Sequence, residues 1–163
     1  MSRTRAELLA SYRSYLALQR DLSGHTVRAY LVDVSDLLSF LGVGEGDTEP
    51  VDAALATLDL ADLRDWLAAM AASGHSRATL ARRSASVRTF STWAFEEGVL
   101  ISDVAARLRA PRVDNRLPGV LTPQQASQLL KTASDLASDG HVLAVRDLAI
   151  IETLYATGVR VSE

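Results

Sequence analysis

The sequence contains no cysteine among its 163 residues. This absence excludes disulfide bonds, thiol catalysis and cysteine-ligated zinc, and it is consistent with a cytoplasmic protein. The three histidines, His25, His75 and His141, lack the spacing of metal ligands. Glycine-rich phosphate-binding loops and low-complexity tracts are also missing. We therefore predict neither a metal site nor a cofactor.

Long apolar runs are absent as well. The sequence has no apolar run of the roughly 18 residues that a membrane-spanning helix needs. Its first residues enter an amphipathic pattern directly, without the apolar core of a signal peptide. These absences predict a protein that does not contact membranes and that stays in the cytoplasm.

Lysine is nearly absent, since Lys131 is its one occurrence, and arginine carries almost all positive charge. The formal net charge is −3, but the charges are unevenly distributed. Residues 45–65 contain seven acids and one arginine, whereas residues 73–116 contain eight arginines and four acids, a net charge of +4. A basic stretch of this kind indicates an anionic partner such as nucleic acid.

Hydrophobic periodicity predicts four helices in the first two thirds of the chain, joined by short polar segments. We expect a compact all-α bundle from this pattern. Capping residues and glycines set the expected limits of each helix. The predicted helices are residues 5–21, residues 24–41 after the cap Ser23, residues 59–73 beginning near the cap Asp59, and residues 77–97 after the cap Ser76.

A domain boundary is predicted after residue 108. Residues 101–108 are expected to form a short helix, and residues 109–118 are basic, contain two prolines and are predicted to be an extended linker. Thr122, Pro123 and Gln125 form the sequence signature of a helix start. Residues 142–156 are apolar nearly all round, which is typical of a central helix that residues 119–163 alone could not surround. We therefore predict domains at residues 1–108 and 119–163, and a chain that stops short.

The final residues place an arginine just beyond a helix end. Gly158 is expected to end the last helix in a left-handed conformation, which would hold Arg160 in a fixed turn. A guanidinium held there suits bidentate recognition of a phosphate or carboxylate. From spacing alone, an ordinary surface arginine is the other interpretation. For the arginines of residues 77–88, the alternatives are a basic band along one side of the helix and ordinary solubilising charge.

Three stretches resemble one protein family. They are Ala156-Thr157-Gly158-Val159-Arg160-Val161-Ser162-Glu163 with residues 146–151 before it, the run from Ser76 to Phe90, and the run from Ser23 to Tyr30 with Asp33 after it. All three resemble the tyrosine recombinases, most closely the Xer type. The resemblance implies a four-helix SAM-like core-binding domain, followed by the first helices of a truncated mixed α/β catalytic domain.

The resemblance also implies roles for individual residues. Arg160 corresponds to the first catalytic arginine of the family, with Glu163 either orienting it or starting the next helix. The DNA-contact candidates implied by the family are Arg28, Arg77, Arg82 and Arg88, with Arg82 and Arg88 favoured. The family cleaves and rejoins DNA through a phosphotyrosyl intermediate without an external cofactor.

For the whole protein, the resemblance implies double-stranded DNA as substrate and a second, XerD-like recombinase as partner in a tetrameric synaptic complex. The implied role is chromosome-dimer resolution at cell division. The family's tyrosine nucleophile and its remaining catalytic residues would follow Glu163, so we expect these 163 residues alone to be catalytically inactive. The alternatives are a phage-type integrase relative and a non-enzymatic helical DNA-binding or adaptor protein.

Overall fold

A computed structural model of the chain describes residues 3–44, 50–111 and 119–161. The chain divides into two compact units, Met1–Asp114 and Asn115–Glu163. Within the described residues the regular structure is helical, which confirms the predicted all-α class. None of the described helices is long and apolar enough to cross a membrane.

Besides one π-helical turn, the first unit contains five α-helices among its described residues. Four of them confirm the predicted helices, and a short one-turn helix was not predicted. The second unit contributes two helices, as expected. Their bounds are α1 Arg5–Ser14, α2 Gly24–Phe40, α3 Asp52–Leu55, α4 Leu60–Ala72, α5 Arg77–Glu96, α6 Pro123–Leu136 and α7 Val142–Thr157.

Side-chain caps begin α2, α4, α5 and α6 where the sequence predicts them. Ser23 and Ser76 accept hydrogen bonds from the backbone N–H groups three residues later. Asp59 and Thr122 form reciprocal capping boxes with the residues at their third helical positions. Thr4 forms the same box with Glu7, and its hydrogen bonds hold the pKa of the Glu7 carboxyl below its ordinary value. These bonds satisfy N–H groups that helix starts leave unpaired.

The end of the first predicted helix differs from expectation. The α-helix stops at Ser14 and continues as a π-helical turn over Tyr15–Gln19, closed by the bond from Arg20 N–H to the Tyr15 carbonyl. Asp21 then adopts a φ of 48°, a left-handed conformation that aspartate tolerates better than most residues. The helical path therefore ends before Asp21, two residues earlier than predicted.

Residues 101–108 do not form the predicted helix. Their backbone makes separate turns, closed by Ala106 N–H to the Asp103 carbonyl at 3.2 Å and Leu108 N–H to the Ala105 carbonyl at 2.9 Å. Ala105 and Leu108 are buried, and Asp103 is hydrogen-bonded to α5. These long-range contacts override the local helix preference. Of the predicted linker, Arg109 to Pro111 lack regular structure and residues 112–118 lie outside the described part.

The first unit has a core of its own, centred on an aromatic cluster. The ring of Tyr12 lies 5.2 Å from Phe90 and 4.9 Å from Trp93, centroid to centroid. Trp66 and apolar residues from each of α1 to α5 complete this core. Burial raises the pKa of the Tyr12 hydroxyl well above its ordinary value. Tyr12 is thus a core residue, in agreement with the helical periodicity of the sequence.

The described residues of the second unit form no comparable core. Helices α6 and α7 pack against each other, yet neither contains a fully buried residue. Within the described residues, the apolar last helix is therefore left without a buried side. Helical periodicity in the sequence predicts that Tyr155 points inward, and this prediction is wrong, because its side chain is 65% exposed.

Candidate nucleic-acid interface

Helices α2 and α5 pack against each other and run antiparallel. The Ser86 hydroxyl lies 3.5 Å from the Tyr30 carbonyl, and Arg82 contacts Asp33. Residue numbers therefore increase in opposite directions along the two helices where they touch. The capped start of α2 therefore lies towards the end of α5. The helices that carry the predicted DNA contacts are thus direct neighbours in the first unit.

A buried aspartate joins the two helices. Asp33 is 1% exposed, and its Oδ1 accepts a 3.0 Å hydrogen bond from Nη2 of Arg82 while Oδ2 contacts Nη1. Nε of Arg83 lies 3.4 Å from the same Oδ1. A carboxylate removed from water needs such partners, because an unpaired buried charge is strongly destabilising. Asp33 is therefore held between two arginines.

The two arginines of this cluster have different surroundings. Arg83 is 14% exposed and also contacts Asp36, the sulfur of Met70 and the face of Trp66, whose ring centroid lies 5.8 Å away. Arg82 keeps 46% of its side chain exposed. Arg83 is thus an internal cation that ties α5 to α2 and α4, whereas Arg82 is the one that reaches the surface.

The outward side of α5 is a strip of small side chains. At about 100° per residue, these residues share the side opposite the buried Val87 and Ala94. Arg82 lies along one edge of the strip, and Arg77 and Arg88 lie along the other, roughly 120–140° away around the helix axis. The small-residue strip consists of Ala78, Ala81, Ala85, Thr89 and Thr92.

Arg88 is hydrogen-bonded to the segment that follows α5, residues 103–108. Its Nη1 donates a 3.1 Å hydrogen bond to the Leu108 carbonyl. One turn further along α5, the hydroxyls of Ser91 and Thr92 donate to Asp103 at 2.5 Å and 2.9 Å. Ser91 also accepts a 3.0 Å bond from the N–H of Ala105. Residues 103–108 are therefore fastened along the Arg88 edge of the strip.

The remaining predicted DNA contact on α2 lies elsewhere. Arg28 is exposed, and its Nη2 lies 3.2 Å from Nδ1 of His25. Five residues separate it from Asp33, which places it about 140° further around α2. Arg28 and Arg82 are therefore on different sides of this helix, and the structure does not bring the four predicted contacts into one cluster.

Arg160 belongs to the second unit. Gly158 ends α7 with a φ of 67°, and its N–H bonds to the Leu154 carbonyl at 2.9 Å, as the sequence predicts. Only glycine adopts this backbone conformation without strain. Arg160 follows in an exposed position. Glu163, its predicted orienting partner, lies outside the described residues.

Sequence reasoning missed the pairing of Asp33 with Arg82. The available signal was an aspartate next to Val34 within the apolar stripe of α2, a position where an acid is rarely buried unless it is paired. The arginine that pairs with it could not be chosen from the sequence, because Arg82 and Arg83 are adjacent and 49 residues or more away.

The first unit is, by its fold, a small all-α domain in which α5 packs antiparallel to α2 and presents a face bordered by arginines. A family model described as phage integrase, N-terminal SAM-like domain matches residues 9–98, which span α1 to α5. The chain belongs to this family. The resemblance to tyrosine recombinases and the SAM-like fold are both confirmed.

Individual relatives of the chain are also tyrosine recombinases. A tyrosine recombinase XerC of Mycobacterium sp. (strain JLS) is 46% identical over 156 residues, covering 96% of this chain and 50% of the relative. Tyrosine recombinase XerC of Mycobacterium tuberculosis (strain CDC 1551 / Oshkosh) is 45% identical over the same shares of both chains. The chain thus spans about half the length of the curated relatives it matches. No solved structure matches it.

Proposed function

We propose that this chain is the DNA-binding half of a site-specific tyrosine recombinase and that the small-residue strip of α5 faces duplex DNA. The observation that carries the proposal is the arrangement of arginines along both edges of that strip. An α-helix is about as wide as the DNA major groove, roughly 12 Å. Arginines on both sides of an inserted helix would meet the phosphates of both strands.

The side chains of the strip support this placement. Alanine and threonine are short, so the helix backbone can approach base edges closely, and their methyl groups suit contact with thymine methyls. Arg77 and Arg88 are eleven residues apart, which corresponds to about 16 Å along the helix. They can therefore contact separate phosphates, while Arg82 serves the opposite strand. Arg28 on α2 would make a further phosphate contact.

Phosphate contacts give the test a quantitative form. Each contact adds about −0.9 to the slope of log K against log salt. We expect the 163-residue chain to bind a fluorescent duplex with a steep salt dependence, measured by anisotropy. Arg77→Ala should flatten the slope by about one unit.

The matched control is Arg64→Ala, which removes an exposed arginine from α4 instead. This variant should leave the slope unchanged. Binding that does not depend on salt, or an equal effect of both variants, would overturn the placement of the strip against DNA.

Arg160 supports the catalytic part of the proposal. Cleavage of a phosphodiester concentrates negative charge on the non-bridging oxygens, and a guanidinium stabilises that charge with paired donors. In the family pattern the attack comes from a tyrosine outside this sequence, giving a covalent protein–DNA link that a DNA hydroxyl later reverses. We assign Arg160 to the stabilising role, with a XerD-like partner and chromosome-dimer resolution as the biological context.

The catalytic assignment is tested in a protein extended to the full length of its relatives. Arg160→Ala should retain DNA binding and lose roughly 10²–10³ in cleavage rate, by analogy with the loss of one oxyanion donor. Arg160→Lys should recover little, because an ammonium cannot make the two-pronged contact. The readout is the covalent band formed with a nicked suicide substrate on a denaturing gel. Full cleavage by either variant would remove Arg160 from the active site.

A further inference from the structure

Asp33 occupies a position where an acid is unexpected. It lies in the middle of α2 beside Val34 and Leu37, and 1% of its side chain is exposed. Replacing a buried ion pair with apolar residues of similar volume is often neutral or stabilising. The α2–α5 contact could therefore be made without this carboxylate, which suggests that Asp33 has a role besides packing.

The geometry of the pair shows what Asp33 does to Arg82. Both carboxylate oxygens engage Arg82, one through Nη1 and the other through Nη2, and this two-point contact fixes the plane of the guanidinium. A guanidinium has five N–H donors, so three remain after Asp33 has taken two. The side chain is 46% exposed at the edge of the small-residue strip, so Asp33 does not enclose it.

We propose that Asp33 is a positioning residue for DNA binding: it holds the Arg82 guanidinium so that its outer donors face a backbone phosphate. This inference rests on the proposed function and names a residue that makes no DNA contact itself. Arg83 completes the arrangement. Its Nε lies 3.4 Å from Asp33, so the carboxylate keeps a cationic neighbour while Arg82 is shared with a phosphate.

Charge alone and positioning make opposite predictions for one substitution. Asp33→Asn removes a negative charge from the neighbourhood of the DNA, so electrostatics by itself predicts tighter binding. If Asp33 positions Arg82, the same substitution releases the guanidinium and weakens binding. Asp36→Asn is the matched control, because Asp36 lies one turn further along α2, is 47% exposed and pairs with Arg83.

The experiment measures duplex binding by the 163-residue chain across a range of salt concentrations. Asp33→Asn should weaken binding roughly eightfold at 0.1 M salt and flatten the slope by about one unit, the effect of one lost phosphate contact. Asp36→Asn should bind as tightly as the parent chain or more tightly. Circular dichroism and the unfolding midpoint verify that each variant is folded under the conditions used.

Arg82→Lys provides a second line of evidence that keeps the charge. Lysine cannot form the two-point contact with Asp33, so it should bind DNA more weakly than the parent although the net charge is equal. Combining it with Asp33→Asn should produce little additional loss, since both changes remove the same contact.

Two outcomes would separate the hypotheses. A folded Asp33→Asn variant that binds as tightly as the parent, or Arg82→Lys with unchanged affinity, would overturn the positioning role alone. A parent chain without salt-dependent binding would overturn the proposed function and the positioning role with it.

Discussion

The buried carboxylate of Asp33 and the half-exposed guanidinium of Arg82 join the middle of α2 to the second turn of α5, 49 residues away in sequence. Arg83, the next residue, contacts Asp33 and Asp36 and lies over Trp66. Two adjacent arginines therefore bind three helices into one arrangement. The cluster lies where α2 packs against α5, beside one edge of the small-residue strip.

Arg82→Ala should destabilise the first unit. The substitution leaves the Oδ2 atom of Asp33 without its partner in a site closed to water, although Arg83 remains near Oδ1. We expect a loss of about 1–3 kcal/mol in the free energy of unfolding, the usual cost of an unsatisfied buried acceptor. Urea denaturation followed by circular dichroism measures it. Arg64→Ala, on an exposed face of α4, should change stability by no more than about 0.5 kcal/mol. Equal stability of the two variants would contradict the structural role of the pair.

Two buried serines on α5 should respond differently to replacement by alanine. Ser91 joins Asp103 and the N–H of Ala105 to the helix, so Ser91→Ala leaves both without this partner and should cost about 1–3 kcal/mol. Among the described residues, the Ser84 hydroxyl donates its hydrogen bond to the Leu80 carbonyl of its own helix.

The matched variant Ser84→Ala should leave the free energy of unfolding unchanged or raise it slightly. Alanine has the higher helix propensity, and the Leu80 carbonyl keeps its backbone hydrogen bond within the helix. Chemical denaturation of the two variants side by side makes the comparison. A larger loss for Ser84→Ala would contradict this interpretation of the hydroxyls.

Arg88→Ala should loosen residues 103–108 while leaving α5 intact. The substitution removes the bond to the Leu108 carbonyl, one of the contacts that fasten this segment. Hydrogen–deuterium exchange should therefore accelerate in peptides covering 103–108, with no change in peptides from α2. Arg88→Lys should restore part of the protection, because an ammonium can donate to the same carbonyl. Unchanged exchange in Arg88→Ala would show that Ser91 and Asp103 hold the segment without it.

Limited proteolysis should separate the two units. The first unit has a core of fully buried residues, whereas α6 and α7 have none, so the two should differ in resistance. Trypsin is expected to cleave first in the basic stretch 109–116 and to leave a resistant N-terminal fragment. The fragment's mass gives the boundary directly. A chain that resists cleavage throughout would argue against the predicted domains at 1–108 and 119–163.

Helix limits were predictable because the signals that set them are local. Ser23, Asp59, Ser76 and Thr122 each bond to a backbone group two or three residues away, so the sequence alone contains the relevant partners. The turns of residues 101–108 depend instead on contacts with α5. A local pattern contains no information about such contacts, and the helix predicted there was wrong for this reason.

The candidate site was predictable in its residue types and less so in its arrangement. Helical periodicity shows that the arginines of α5 cannot share one face, but it does not say which of them points to the core. Tertiary packing places Arg83 against Trp66 and leaves Arg82 at the surface. The separation of Arg28 from Arg82 likewise follows only once the buried side of α2 is known.

The small-residue strip also limits the side-chain conformational entropy that is lost when a partner binds to this face. Alanine has no rotamers to lose, and immobilising a flexible side chain costs about 0.5–1.5 kcal/mol each. The long side chains at its edges are already restrained in part, Arg82 by Asp33 and Arg88 by the Leu108 carbonyl. A partner that covers this face therefore orders few new groups. The entropy of binding should be dominated by the ions and water that leave the surface, and calorimetry should find it favourable.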